Sequence, residues 1–115
     1  MALIFALSAV RLDVHLIDYM PLRDKGIHFV EYLVLGLLIA HASMRTWPEH
    51  PRYRTTLLAI VLSIAWGISD EFHQAFVPGR TADVVDLAAD AAGATVGALL
   101  QLAFCSMRAQ TEEER

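Results

Sequence analysis

Residues 57–80 read LLAIVLSIAWGISDEFHQAFVPGR. From Leu57 to Trp66 only Ser63 is polar, and then Asp70, Glu71, His73 and Gln74 crowd into little more than one turn. In a soluble helix such a change of character marks the arrival at water. This stretch has no polar face along its oily part, and a helix apolar all round is buried in a large core or in lipid. A chain of 115 residues cannot supply the large core. The stretch therefore reads as a membrane-spanning helix that carries ionisable groups on its own end.

The neighbouring sequence has the same character. Residues 26–44 (GIHFVEYLVLGLLIAHASM) are apolar from Val30 to Ala40 apart from Glu31 and Tyr32 near one end. Residues 86–107 are rich in Ala, Gly and Leu. A bilayer core of about 30 Å needs about 20 apolar residues, and all three segments reach that length once the polar third of 55–76 is included. The connections are short: RTWPEHPRYR, where Pro48 and Pro51 oppose helix, and VPGRTAD, where Pro78-Gly79 signals a turn. A fourth segment, MALIFALSAV, is too short to span before Arg11, Asp13 and His15 interrupt it. It reads either as a signal-peptide core without the usual flanks or as part of a spanning helix whose beginning is lost. The expected fold is all-α: a small transmembrane helical bundle with three clear spanning helices and a short or incomplete N-terminal one. Residues 1–107 form the single domain, and 108–115 form a polar acidic tail.

Composition agrees with this. Hydrophobic residues make up 56% of the chain and the mean hydropathy is +0.44, well above soluble domains. The formal net charge of −4 owes much to Glu112, Glu113 and Glu114, so no basic field exists for nucleic acid. The single cysteine, Cys105, excludes a disulfide framework and reads as a small inert hydrophobe.

Successive spanning helices alternate in direction, so the start of the second segment, the end of the third and the start of the fourth share one membrane face. There the polar residues gather: Asp24, Lys25, His28, Glu31 and Tyr32; Asp70, Glu71, His73 and Gln74; Asp83, Asp86 and Asp90. At about 100° per residue, Asp24, His28 and Glu31 fall on one stripe, and Ser63, Gly67, Asp70 and Gln74 on another. On the last segment Asp86, Asp90, Gly93 and Gly97 share a face, and the Gly93-x-x-x-Gly97 pair permits close helix approach. These stripes predict one polar pocket. Blander roles compete: Asp83 or Thr81 as a helix cap, Arg23 and Lys25 as interfacial anchors, and His15, His41 and His50 outside any cluster.

At this point the residues resemble the VanZ-like family of small membrane proteins. The likeness covers roughly residues 22–102 and rests on Asp24-Lys25-x-x-His28-Phe29-x-x-Tyr32, on Asp70-Glu71-x-His73-Gln74-x-Phe76-x-Pro78-Gly79-Arg80, and on Asp83, Asp86 and the paired glycines. Asp90 stands where the family usually has Asn. The resemblance implies a bacterial protein of the cell envelope and an association with teicoplanin resistance, without a reaction.

Arg45, Arg52, Arg54, Arg108 and Arg115 lie on one side and Arg23, Lys25 and Arg80 on the other, so the positive-inside rule turns the pocket outward from the cytoplasmic (inner) membrane. Ionisable groups within a span cost about 2.5–3.5 kcal/mol each on insertion scales, which makes several together a functional expectation. One expectation is an enzyme-like site acting on a lipid-linked precursor: His28 or His73 as acid/base, Asp70 and Glu71 assisting, Lys25 and Arg80 gripping a headgroup, and Asp24, Glu31, Tyr32, Gln74, Asp86 and Asp90 lining it. The other is a non-catalytic protein whose cluster clamps a headgroup or fixes helix packing. The cofactor is unknown from the sequence, and a metal variant cuts across both expectations, since one imidazole with a carboxylate is a donor set that zinc or iron accepts. The mixed N/O pairs His28-x-x-Glu31 and Glu71-x-His73 match no standard metal motif.

Overall fold

A computed structural model describes residues 23–78 and 83–115, with side chains from Lys25 onward. The N-terminal segment with Arg11, Asp13 and His15, the side chains of Arg23 and Asp24, and the residues Gly79, Arg80 and Thr81 lie outside the described residues. Three helices make up the described fold: α1 (Arg23–Thr46), α2 (Arg52–Gln74) and α3 (Val84–Glu113). Each is long and apolar enough to cross a membrane.

The helix ends follow local chemistry. Pro51 caps α2 with φ near −54°, so the helix opens three residues before Thr55, where the apolar reading began. Asp83 caps α3, its side chain accepting the Val85 N–H at 2.8 Å. At its far end α3 runs past Met107 to Glu113, taking in much of the acidic tail. Arg108, Ala109, Gln110, Glu112 and Glu113 are strong helix formers, which accounts for the extension.

The register of the bundle is read from its contacts. Lys25 meets Asp86, His28 meets Asp90 and His41 meets Gln101, at sequence separations of 61, 62 and 60. A constant offset means that α1 and α3 run parallel along their whole shared length. Between α2 and α3 the numbers move oppositely: Gly67 faces Asp90 while Arg52 donates to the Cys105 carbonyl at 2.8 Å. These two helices are antiparallel, and α2 is the return leg.

The α1–α3 contact is the most extensive of the three. A Cβ on Gly93 would collide with the Phe29 carbonyl, one on Gly97 with the Leu33 carbonyl, and one on Gly36 with the backbone of Ala94. The expected Gly93/Gly97 contact is therefore present, and Gly36, four residues before Ala40, answers it from α1. Ala40, Ala59 and Ala98 form the narrow middle of the bundle. Toward the polar end, Tyr32, Leu35 and Ala94 pack with Ile39 and Trp66.

The burial pattern is inverted relative to a soluble protein. Among the described residues ten polar or charged side chains are buried against six apolar ones, while Val30, Val34, Leu38, Leu57, Val61, Leu99 and Phe104 face outward. Such an arrangement is stable only where the surroundings are apolar and internal groups satisfy one another. Accordingly Ser63 Oγ donates to the Ala59 carbonyl at 2.8 Å and Thr95 Oγ1 to the Ala91 carbonyl at 2.7 Å. The far end carries the marks of an interface: exposed Trp47 and Tyr53, and Arg108 over the Phe104 ring at 5.0 Å.

Replacing Gly97 by Ala forces α1 and α3 apart and is expected to destabilise the bundle by about 1–3 kcal/mol. Gly26→Ala, where a Cβ meets nothing within 4 Å, leaves stability unchanged or slightly raised. Thermal unfolding of both variants in detergent checks the contrast.

Candidate functional site

The close approach of α1 and α3 brings their polar first turns together, and the last turns of α2 close the third side. His28 Nδ1 lies 3.0 Å from Asp90 Oδ1, with 5% of His28 and none of Asp90 exposed. With Asp90 ionised the carboxylate can only accept, and the matching tautomer of His28 carries its proton on Nδ1 and leaves the other ring nitrogen for a partner. Gly67 makes room for this pair. A Cβ there would lie 3.2 Å from Asp90 Oδ2 and 3.3 Å from Tyr32 Cε1, so the tyrosine ring and the aspartate sit together against the bare backbone of α2.

Asp83 ties the three helices at the rim. Its backbone N–H donates to Glu71 Oε2 at 2.9 Å, and its carboxylate accepts Lys25 Nζ at 2.9 Å; the same ammonium donates to Asp86 Oδ1 at 3.0 Å. The Val85 N–H, and after it the Lys25 ammonium, hold the Asp83 carboxyl below the usual carboxylate range. Because the folded value is lowered, the stability Asp83 contributes is present above the ordinary carboxyl range and is lost as acidification passes through the lowered value.

The candidate residues fall into clear places. His28, Tyr32, Asp70, Glu71, Gln74 and Asp90 are buried, whereas Lys25, Glu31, His73 and Asp86 are half-buried. Gln74 Nε2 donates to Asp70 Oδ2 at 3.0 Å, one turn along α2. His28, Glu71 and Asp90 each present a ligand-type atom within 4.8 Å of the others. The sequence pairs His28-x-x-Glu31 and Glu71-x-His73 are thus split, and His28 joins a glutamate and an aspartate from the other two chain segments. Arg80 and the Asp24 side chain lie outside the described residues.

Asp83 does more than the expected capping, since it also joins Lys25 and Glu71. Its backbone donor has no signature in sequence. Two histidines set aside earlier have local partners: His41 Nδ1 lies 3.0 Å from Gln101 Nε2, and exposed His50 lies beside Glu49 at 3.3 Å. A cavity of about 250 Å³ lies at the opposite end of the bundle, lined by Trp47, His50, Arg54, Thr55 and Leu58.

Three apolar spans wrapped around a polar, ionisable end define a multi-pass membrane protein. The chain belongs to the VanZ/LLP1 family, whose profile matches residues 3–105. It is also similar to a fission-yeast protein (Schizosaccharomyces pombe) described as uncharacterized protein C11E3.10, with 28% identity over 88 residues. That match covers 76% of this chain and 52% of the yeast protein, so the chain spans about half the length of this curated relative. A relative in a eukaryote means that the family likeness does not by itself mark the chain as bacterial. No solved structure matches the chain.

Asp90→Ala leaves His28 buried without its carboxylate and is expected to cost about 3–5 kcal/mol. Asp90→Asn keeps a hydrogen-bond acceptor and costs clearly less. Unfolding in detergent, with His28→Ala and the double variant completing the cycle, measures the coupling; additive losses would show that the two side chains do not interact.

Proposed function

We propose that this chain is an enzyme of the cytoplasmic (inner) membrane that acts on the headgroup of a lipid-linked or amphiphilic cell-envelope molecule, from a polar pocket opening on the outer face. The observation that carries this reading is the buried His28–Asp90 pair with Glu71 beside it, held at the end of three membrane spans. Each ionisable group within a span costs about 2.5–3.5 kcal/mol on insertion scales, so a buried cluster of them supports a role beyond packing. Asp90 orients the His28 ring, and the second ring nitrogen is the group offered to the substrate. Glu71, fixed through its other oxygen by the Asp83 N–H, lies in reach of the same point.

The exterior suits the tail of such a molecule. Ile27 and Val30 on α1, Phe72 and Phe76 beside the end of α2, and Val84 and Val85 on α3 are exposed around the polar end. Phe72 and Phe76 form an edge-to-face pair at 5.1 Å. A tail lying against these side chains leaves its headgroup level with the site. Lys25 supplies a cationic group at the rim, although it is already held by two carboxylates; Arg80, close to Asp83 in sequence, is the second cation that the reading assigns to an anionic headgroup. The outward orientation rests on the arginines of the 45–54 connection and of the C-terminal end. It puts the site where a lipid-tailed glycopeptide such as teicoplanin acts.

A second reading is favoured by one feature, the joining of all three helices through Asp83. On that view the cluster is a clamp that binds a headgroup, or fixes packing, without turnover. Lipid profiling of a deletion strain complemented with wild type or His28→Ala, at matched protein level, separates the two. The enzyme reading expects a lipid species that accumulates in the deletion, disappears with wild type and persists with His28→Ala. Unchanged lipids together with a rescued teicoplanin phenotype overturn it in favour of the clamp.

A further inference from the structure

We infer that His28, Glu71 and Asp90 form a binding site for one divalent first-row transition ion of the manganese-to-zinc class. The three residues come from three different helices and are all buried, with ligand-type atoms within 4.8 Å of one another. The 3.0 Å separation of His28 Nδ1 and Asp90 Oδ1 is close to that of two adjacent ligands on one ion with metal–ligand distances of about 2.1 Å. Replacing the Nδ1 proton by the ion converts that hydrogen bond into a shared coordination.

Unspent polar capacity surrounds this point. Glu71 Oε1, Asp90 Oδ2 and the Tyr32 hydroxyl are buried and have no hydrogen-bond partner among the described residues. Tyr32 and Asp90 are 0% exposed and lie side by side against Gly67, so neither reaches water. Two carboxylate oxygens can only accept, and a hydroxyl cannot donate to both. A cation between them satisfies what the protein's own donors leave open.

Charge makes the same demand. Asp70, Glu71 and Asp90 are buried at this end and Glu31 and Asp86 half-buried, while the nearby ammonium, Lys25, is drawn to the rim by Asp83 and Asp86. Buried carboxylates in apolar surroundings need either protons or a cation. A divalent ion held by His28, Glu71 and Asp90 offsets two of them, and both of its carboxylates have an oxygen that the protein's own donors leave open.

The donor set names the class. One imidazole nitrogen with two carboxylate oxygens suits zinc, iron or manganese more than an all-oxygen ion such as calcium or magnesium. Three protein ligands leave coordination positions open, as in catalytic rather than structural sites. The Asp83 N–H donates to Glu71 Oε2 and so holds that carboxylate's orientation toward the ion. Such an ion also changes the sign of the site toward an anionic headgroup, but its presence does not depend on that substrate.

The test uses the full chain purified in detergent without chelator. Elemental analysis is expected to find about one zinc, iron or manganese per chain. After stripping, titration with zinc or manganese chloride alone should raise the melting temperature. Glu71→Gln, His28→Ala and Asp90→Asn should each weaken the ion by at least about tenfold to hundredfold, whereas Cys105→Ser and His50→Ala leave it unchanged. Glu71→Gln guards against misfolding, because it keeps the acceptor for the Asp83 N–H. Absence of zinc, iron and manganese alike, equal binding by Glu71→Gln and wild type, or loss of the ion with His50→Ala overturns the site. No lipid enters the assay, so its failure is distinct from failure of the headgroup reading.

Discussion

Bare glycine backbone on α3 lies directly against the Phe29 and Leu33 carbonyls of α1, and the polar end of the molecule depends on that contact. His28, next to Phe29, and Asp90, three residues before Gly93, meet across the same seam in a hydrogen bond. With Cβ atoms missing at Gly93, Gly97 and Gly36, α1 and α3 come close enough to share one at 3.0 Å. In lipid, no hydrophobic force draws apolar helices together; van der Waals fit and internal polar bonds do. Small residues and buried polar groups are therefore two halves of one solution here. The glycines give the approach, and the polar pairs reward it.

Much of this was legible in the sequence because it is periodic. Ser63, Gly67, Asp70 and Gln74 share a stripe at helical spacing, and all four are buried. The Gly93/Gly97 pair and Asp90 share the other stripe and meet α1 as the pattern implies. The gathering of charge at one end followed from alternating helix direction alone. Less legible was which flank of the α2 stripe turns inward. Glu71 and His73 stand on either side of it, and only the seating of α2 against Tyr32 and Asp90 buries Glu71 and leaves His73 half-buried. Gly36 was readable in principle, with Ala40 four residues on, but a lone glycine among leucines carries little signal. The Asp83 backbone donor to Glu71 could not be read at all, since a main-chain N–H has no letter.

Asp83 shows how a capping residue comes to organise a site. Its side chain closes the first turn of α3, its second oxygen holds Lys25, and its N–H fixes Glu71. The cap thus sets the rotation of a carboxylate on one neighbour and the position of a cation on another. This explains how a short α2–α3 connection can define the rim.

The parallel pairing of α1 with α3 has a consequence for biogenesis. His28 leaves the ribosome 62 residues ahead of Asp90, and the whole return helix is made in between. While α2 is still emerging, α1 stands in or beside the translocation channel with His28 not yet met by Asp90. Its release into lipid is thermodynamically tied to the arrival of the last helix. Insertion of this small protein is accordingly expected to be concerted, with the three spans leaving the channel as one assembled unit.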